Sequence, residues 1–197
     1  MSLRTIRIAL WVAVAGFAVL ATLAYFFVKV PAPGQGGIGG GNYALTTGSG
    51  AAFTPASLQG KPSMLFFGFT HCPQVCPTTL SEMAVWYEEL GAEGEKLNAF
   101  FVSVDPERDT PAVVEDYVRA VSDKVTAVTG SPDQVAAMTK AWGAFAEKVP
   151  LEDGDYTMDH TASVYLIDGQ GQFQGTIAYG EGSGPALEKL RRLIAKG

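Results

Sequence analysis

The chain has 197 residues, of which 47% are hydrophobic and 17% charged, with a formal net charge of −6 and an isoelectric point near 4.9. That length holds one domain of ordinary size plus a further segment, and the balance excludes a disordered, collagenous or coiled-coil chain. Two cysteines are too few for a disulfide scaffold, and the acidic balance speaks against a nucleic-acid partner.

Arg4, Arg7 and Lys29 are the only charges in the first thirty residues, and the first acid is Glu82. The rest of the chain has 11 basic residues against 20 acidic ones, a formal −9 that favours cationic partners or plain solubility. Ile8 to Val28 is an uncharged run that as a helix spans ~31 Å, the thickness of a ~30 Å hydrocarbon core. Trp11 and Tyr25 stand near its ends, where amphipathic rings prefer to sit. A cleaved signal peptide would have a shorter apolar region and a small-residue cleavage site, whereas this run ends in Tyr25-Phe26-Phe27. Residues 1–30 are therefore expected to be a retained single-pass anchor. Arg4 and Arg7 place its N-terminus in the cytoplasm and the body across the membrane. Residues 31–41, rich in Gly and Pro, read as a flexible linker to a domain over 42–197.

In the body, residues 42–57 read as a short hairpin turning at Gly48-Ser49-Gly50. Met64–Phe69 and Ala99–Val104 are short apolar runs suited to strands buried on both faces. Thr79 and Glu82 have capping-box spacing, predicting a helix that continues to about Leu90. Thr110-Pro111 and Ser131-Pro132 open two more helices, the second carrying Val135, Met138 and Trp142. Thr126–Val128 is a weak strand, Ala162–Ile167 and Phe173–Ala178 flank a turn, and Pro185–Ala195 is a closing helix. Strands alternating with helices imply an α/β domain with a mainly parallel sheet covered on both faces, to which the closing hairpin adds antiparallel pairs. The layout is thioredoxin-like, with an N-terminal hairpin extension after the anchor.

Cys72 and Cys76 follow the first buried strand and precede a helix, and they are the only cysteines. A structural disulfide would close so short a loop that chain entropy supplies only ~2 kcal/mol. Two functional readings remain open. A redox pair fits the strand–loop–helix context, although redox motifs usually have two intervening residues and here there are Pro73, Gln74 and Val75. A metal site fits if both cysteines lie on the first helical turn, since that spacing puts both sulfurs on one face. Two thiolates select Cu(I), Zn or iron–sulfur, and two Cys with two His make zinc possible on paper. His160, just before a predicted strand, is the more telling histidine. His71 points away from its neighbour Cys72 in an extended segment and reads as supporting or structural. Met158 could add a thioether but reads as core. Val102 to Pro111 reads as a strand end, a charged turn in which Arg108 and nearby carboxylates fix loop geometry, and a helix cap.

The motifs Gly68-Phe69-Thr70-His71-Cys72-Pro73-x-Val75-Cys76-Pro77, Val104-Asp105-Pro106-Glu107-Arg108-Asp109-Thr110 and Asp159-His160-Thr161 together resemble the Sco/SenC family of copper-binding proteins. The resemblance runs from about Ala44 to the C-terminus. It implies a thioredoxin-like fold binding one copper, Cu(I) or Cu(II), through Cys72, Cys76 and His160. It implies a role in assembling the binuclear copper site of cytochrome c oxidase, by delivering copper to the receiving subunit or reducing its cysteines. Other copper chaperones and thiol reductants are the further partners expected. Gln74 departs from the Asp often found between the cysteines in the family. The leading expectation is a membrane-anchored copper metallochaperone, with no catalytic residue. The alternatives are a thiol–disulfide oxidoreductase using Cys72 and Cys76, or a copper or redox sensor. A peroxidase lacks an identifiable pocket for an activated thiolate. The N-terminus has no Arg- and Ser-rich transit peptide before the anchor, which points to a bacterial inner membrane with the body in the periplasm. Glu152–Asp155 is expected to be a flexible acidic approach to His160.

Overall fold

The computed structural model describes residues 3–27, 37–152 and 154–196. The chain divides into two compact units, residues 1–32 and 33–197. In the first, helix α1 covers Leu3–Phe27. Every side chain from Leu10 to Leu20 is exposed, with Trp11 at 74% and Phe17 at 76%. Among the described residues no helix is long and apolar enough to cross a membrane. Val28, where the expected membrane run ends, and residues 31–36 of the expected linker lie outside the described residues.

The second unit is organised by its apolar runs. Strand β3 (Ser63–Gly68) is buried at every position, as a strand covered on both faces must be. It pairs in parallel with β4 (Asn98–Ser103), Met64 opposite Ala99 and Gly68 opposite Ser103. Strand β5 (Thr126–Thr129) joins β4 in parallel. On the other side of β3, β8 (Val164–Ile167) and β9 (Phe173–Ile177) are antiparallel. The hairpin β1 (Leu45–Thr47) and β2 (Ala52–Phe53) completes the far edge, again antiparallel. The order is β2-β1-β5-β4-β3-β8-β9. The sheet is thus mixed, and only β3, β4 and β5 form the parallel centre.

Helices α2 (Val75–Leu90) and α3 (Pro111–Arg119) connect these parallel strands, each moving one strand in the same direction. Right-handed crossovers place both on one face, where α5 (Ser183–Ile194) packs beside α2. Phe66 and Phe101 project to that face, and the Phe101 ring lies 5.7 Å from Tyr117 of α3. Phe67 and Tyr165 project to the other face, where Trp142 of α4 (Pro132–Trp142) lies 6.0 Å from Tyr165 and donates to the Tyr43 hydroxyl at 3.2 Å. Helix α4 ends where Gly143 takes the left-handed conformation at φ +61° that suits glycine. The last residues of the expected linker pack here too. Gly39 donates to the Ala141 carbonyl at 2.8 Å, and a Cβ on Gly39 would meet Trp142 at 2.7 Å.

Between α4 and β8 the chain forms a separate two-stranded hairpin, β6 (Ala146–Pro150) with β7 (Tyr156–His160). The sequence carries no strand signal there; His160, expected just before a strand, does precede β8 and is in addition the last residue of β7. Alternation along β7 sends Tyr156, Met158 and His160 one way and Thr157 and Asp159 the other. Met158 is packed against the core, as expected.

Candidate metal centre

The site lies at the C-terminal end of β3, where sites gather in α/β sheets. After Gly68 the chain turns, with the Cys72 N–H donating to the Phe69 carbonyl at 3.3 Å. Helix α2 begins at Val75, earlier than the Thr79/Glu82 spacing suggested, and its cap residue Gln74 makes no side-chain capping bond. The Cys72 sulfur takes that role, accepting the Cys76 N–H at 3.4 Å. Only Cys76 therefore lies on the helix; Cys72 caps it from the preceding loop. An N-terminus with unmade N–H groups is a favourable place for thiolate charge.

Cys76 is fully buried and Cys72 nearly so, and both are free thiols. Burial pushes the Cys76 thiol well above the ordinary range; the Phe69 N–H opposes this, while nearby Cys72 and Asp109 add to it. Gly68 makes room for that sulfur. A Cβ there would stand 2.7 Å from the Phe101 ring and 3.0 Å from Cys76 Sγ.

β7 brings in the third group. His160 Nε2 lies 3.5 Å from Cys76 Sγ, and its Nδ1 lies 3.0 Å from the Thr161 carbonyl. A carbonyl can only accept, so Nδ1 carries the proton and Nε2 keeps its lone pair. Phe66 and Phe69 hold the imidazole edge-on at 6.0 and 5.7 Å. Burial lowers its pKa from the ordinary value, keeping the ring neutral. Thr161 closes the hairpin base: its N–H donates to the Phe145 carbonyl at 3.1 Å and its Oγ1 accepts the Phe145 N–H at 2.8 Å.

The charged turn supports both walls. Buried Asp109 accepts the Thr70 N–H at 3.0 Å, the Thr70 hydroxyl at 2.6 Å and the Ser103 hydroxyl at 2.6 Å, fixing the loop that leads to Cys72. Arg108 pairs with Asp105 and donates to Asp155 and to the Tyr156 carbonyl, tying the turn to β7. The expectation that Arg108 and its carboxylates fix loop geometry thus gains a definite target, the hairpin that carries His160. The Tyr156–Asp105 bond in this tie is something sequence reasoning missed.

Cys72 Sγ, Cys76 Sγ and His160 Nε2 all lie within 4.8 Å of one another, the one such group of His, Cys, Asp or Glu among the described residues. Three ligands around one ion at bond lengths of 2.0–2.3 Å sit about 4 Å apart, so a small inward shift suffices. Two soft sulfurs and a neutral imidazole fit a soft cation. His71 is not in the group. It is exposed and shares a 3.1 Å contact with the Thr70 hydroxyl, so the four-ligand zinc set is not assembled.

The sequence model of the SCO1/SenC family matches residues 32–195. The chain belongs to the SCO1/SenC family. Its relatives include the yeast mitochondrial protein SCO2, 38% identical over 160 residues, covering 79% of this chain and 52% of that one. A SCO2-like protein of Rickettsia felis is 35% identical over 136 residues, covering 68% of this chain and 66% of that one. The chain spans about half the length of the mitochondrial relatives from yeast, Arabidopsis thaliana and Homo sapiens. Bradyrhizobium japonicum ScoI, solved with copper bound, superimposes with a TM-score of 0.72 at 42% identity, covering 78% of this chain and 98% of that one. The family's thioredoxin-like α/β fold is therefore the fold of residues 33–197.

Proposed function

We propose that the protein is a membrane-anchored copper chaperone, carrying one copper on Cys72, Cys76 and His160 for the binuclear copper site of cytochrome c oxidase. The observation that carries the reading is the convergence of these three side chains in a family with a copper-bound member. Copper is the cargo here. Cys72 and Cys76 must give up their protons to hold it, while His160 enters already neutral, with Nε2 directed at Cys76. Three ligands leave a coordination position open to an incoming thiolate, so the ion can pass by ligand exchange. The ligands come from two separate pieces, the β3–α2 loop and the β6–β7 hairpin, so withdrawing one opens the site without unfolding the sheet.

The receiving partner in this reading is the copper-binding subunit of the oxidase, and loading comes from another copper chaperone with a thiol reductant keeping the cysteines reduced. Residues 1–30 form the anchor, supported by the uncharged run over residues 8–28 and the exposed apolar side chains between Leu10 and Leu20 of α1. Residues 31–41 link it to the copper-binding domain over 42–197. With Arg4 and Arg7 on the cytoplasmic side, the domain faces the periplasm of a bacterial inner membrane. The test is transfer: copper-loaded protein mixed with the reduced copper-receiving domain of an oxidase subunit loses its copper to it. Copper that stays on the chaperone at equilibrium would contradict delivery.

One observation favours a second reading, a thiol–disulfide oxidoreductase: both thiols are free and their sulfurs lie within 4.8 Å. That activity requires Cys72 and Cys76 but not His160, so His160→Ala separates the two.

A further inference from the structure

Residues 189–197 hold Lys189, Arg191, Arg192 and Lys196 and no acid, although acids outnumber bases in the domain as a whole. Cations in the last turn of a helix are ordinary, because they offset its dipole. The dipole does not explain why three of these four border one cleft.

The cleft lies between α5 and the edge strand β9 and holds about 270 Å³. Lys189, Arg192 and Lys196 rim it, and among the described residues no carboxylate lines it. Its floor is apolar, from the buried Leu166 and Leu193. Strand β9 leaves the space open. A bulge gives Gln174 no partner on β8, and the next residue, Gly175, takes φ +147°, which side chains disfavour. A Cβ there would meet nothing within 4 Å. A glycine at a strand bulge often marks where another group approaches the backbone.

The three cations are not equally free. Lys189 donates to the Thr176 carbonyl at 2.9 Å and pairs with Glu181 at 2.7 Å, so its charge is matched. Arg192 is held through Nε alone, which donates to the Glu188 carbonyl at 3.2 Å, leaving its terminal amines without a partner among the described residues. Lys196 makes one long bond, 3.4 Å to Gln174 Oε1. The Gln174 amide is itself fixed, its Nε2 donating to Asp168 at 2.6 Å. Two unmatched charges remain, a planar guanidinium fork and an ammonium. Both are groups that bind phosphate oxygens. The volume falls short of a pocket for a drug-sized molecule, so the ligand is small.

We propose that this cleft binds a phosphate ester with a short organic body. Arg192 and Lys196 hold the phosphate, and the carbon part lies on Leu166 and Leu193. The same group occurs in soluble phosphate esters and in the headgroups of anionic phospholipids. The cleft stands at the other end of the sheet from the cysteines. Leu166 pairs with Met64 near the start of β3, whereas Gly68, ahead of the cysteines, ends that strand. A ligand bound here leaves the thiols clear, and nothing in the site requires copper.

The test follows the Gly175 amide resonance of the nitrogen-15-labelled full chain in neutral detergent micelles. One arm adds glycerol 3-phosphate; the other dopes the micelles with phosphatidylglycerol. The proteins are the unsubstituted chain, the double variant Arg192→Gln/Lys196→Gln, and Arg191→Gln, which removes a cation outside the cleft. The expected result is a saturable shift of the Gly175 resonance. Its apparent affinity should fall at least about tenfold in the double variant, the loss expected for charged hydrogen bonds, and stay unchanged in Arg191→Gln. A response to glycerol 3-phosphate identifies a soluble ester as the ligand, and a response to phosphatidylglycerol alone identifies the lipid headgroup. Arg192 and Lys196 are exposed, so the double variant should keep the thermal midpoint of the unsubstituted chain. No shift with either probe would overturn the proposal. An equal loss in Arg191→Gln would also overturn it, by showing only diffuse attraction to a basic surface.

Discussion

The Arg108 guanidinium lies 3.7 Å above the ring of Tyr156 and donates to the Tyr156 carbonyl at 3.0 Å. The Tyr156 hydroxyl donates to Asp105 at 2.8 Å, and burial together with that bond pushes its pKa up to about 12. Asp105 also holds Arg108 within the turn, so the one carboxylate anchors both groups that reach the hairpin. Four residues further along the chain from Tyr156 is His160. The grip therefore sets where the imidazole meets the cysteines.

Loosening that grip should show in copper binding before it shows in folding. Tyr156→Phe removes the bond to the Asp105 carboxylate while keeping the ring under Arg108. We expect copper affinity to fall about 10–100-fold, the usual effect of losing a group that orients a ligand. Chelator competition on both proteins checks it, and equal affinities would show that the hairpin is placed by other contacts.

Asp109 acts on the cysteine side. Its carboxylate accepts three hydrogen bonds from Thr70 and Ser103. Asp109→Asn keeps the shape but turns one acceptor into a donor facing donors. A cost of roughly 2–3 kcal/mol is expected, read as a lower urea midpoint at unchanged slope.

Gly68→Ala asks how much room the sulfur has. The added methyl must displace Phe101 or Cys76. Overpacking of this kind costs about 1–3 kcal/mol. We expect weaker copper binding alongside the stability loss, because the displaced group is a proposed ligand.

The pH dependence follows from two opposed shifts. His160 titrates below its ordinary 6.5 in the folded protein. Above pH 6.5 neither state is protonated there and it contributes nothing. As pH falls through 6.5 the unfolded chain takes up a proton that the folded one refuses, so stability drops. Cys76 is raised above its ordinary 9.0. Below pH 9.0 both states are protonated, and above it the unfolded chain ionises first, so stability drops again. Urea midpoints of the reduced protein should peak between these limits. His160→Gln should flatten the acid side, and an acid side unchanged in that variant would contradict the assignment.

Much of the site was legible because its chemistry is written in contiguous residues. The cysteine pair after an apolar strand marked Cys72 and Cys76, and the resemblance of three separated motifs to the Sco/SenC family joined His160 to them. The strands β3 and β4 were equally plain as apolar runs. The β6–β7 hairpin was not. Ala146–Pro150 is almost wholly exposed, so its alternation carries no apolar face to read. The start of α2 was displaced because Thr79 and Glu82 mimic a cap. The cap in use is a sulfur from Cys72, a device no residue-type preference anticipates. The antiparallel halves of the sheet depend on where β1 and β8 return to β5 and β3, which local periodicity does not encode.

The central claim is that Cys72, Cys76 and His160 act as one three-ligand copper site. The most direct measurement is a Cu(I) titration of the reduced protein against a chromophoric chelator, with His160→Ala alongside. The account predicts one copper per chain, with affinity in His160→Ala lower by more than the 10–100-fold expected for an orienting group. No binding by the reduced protein, or equal binding with and without the imidazole, would contradict it and leave the cysteines as a redox pair.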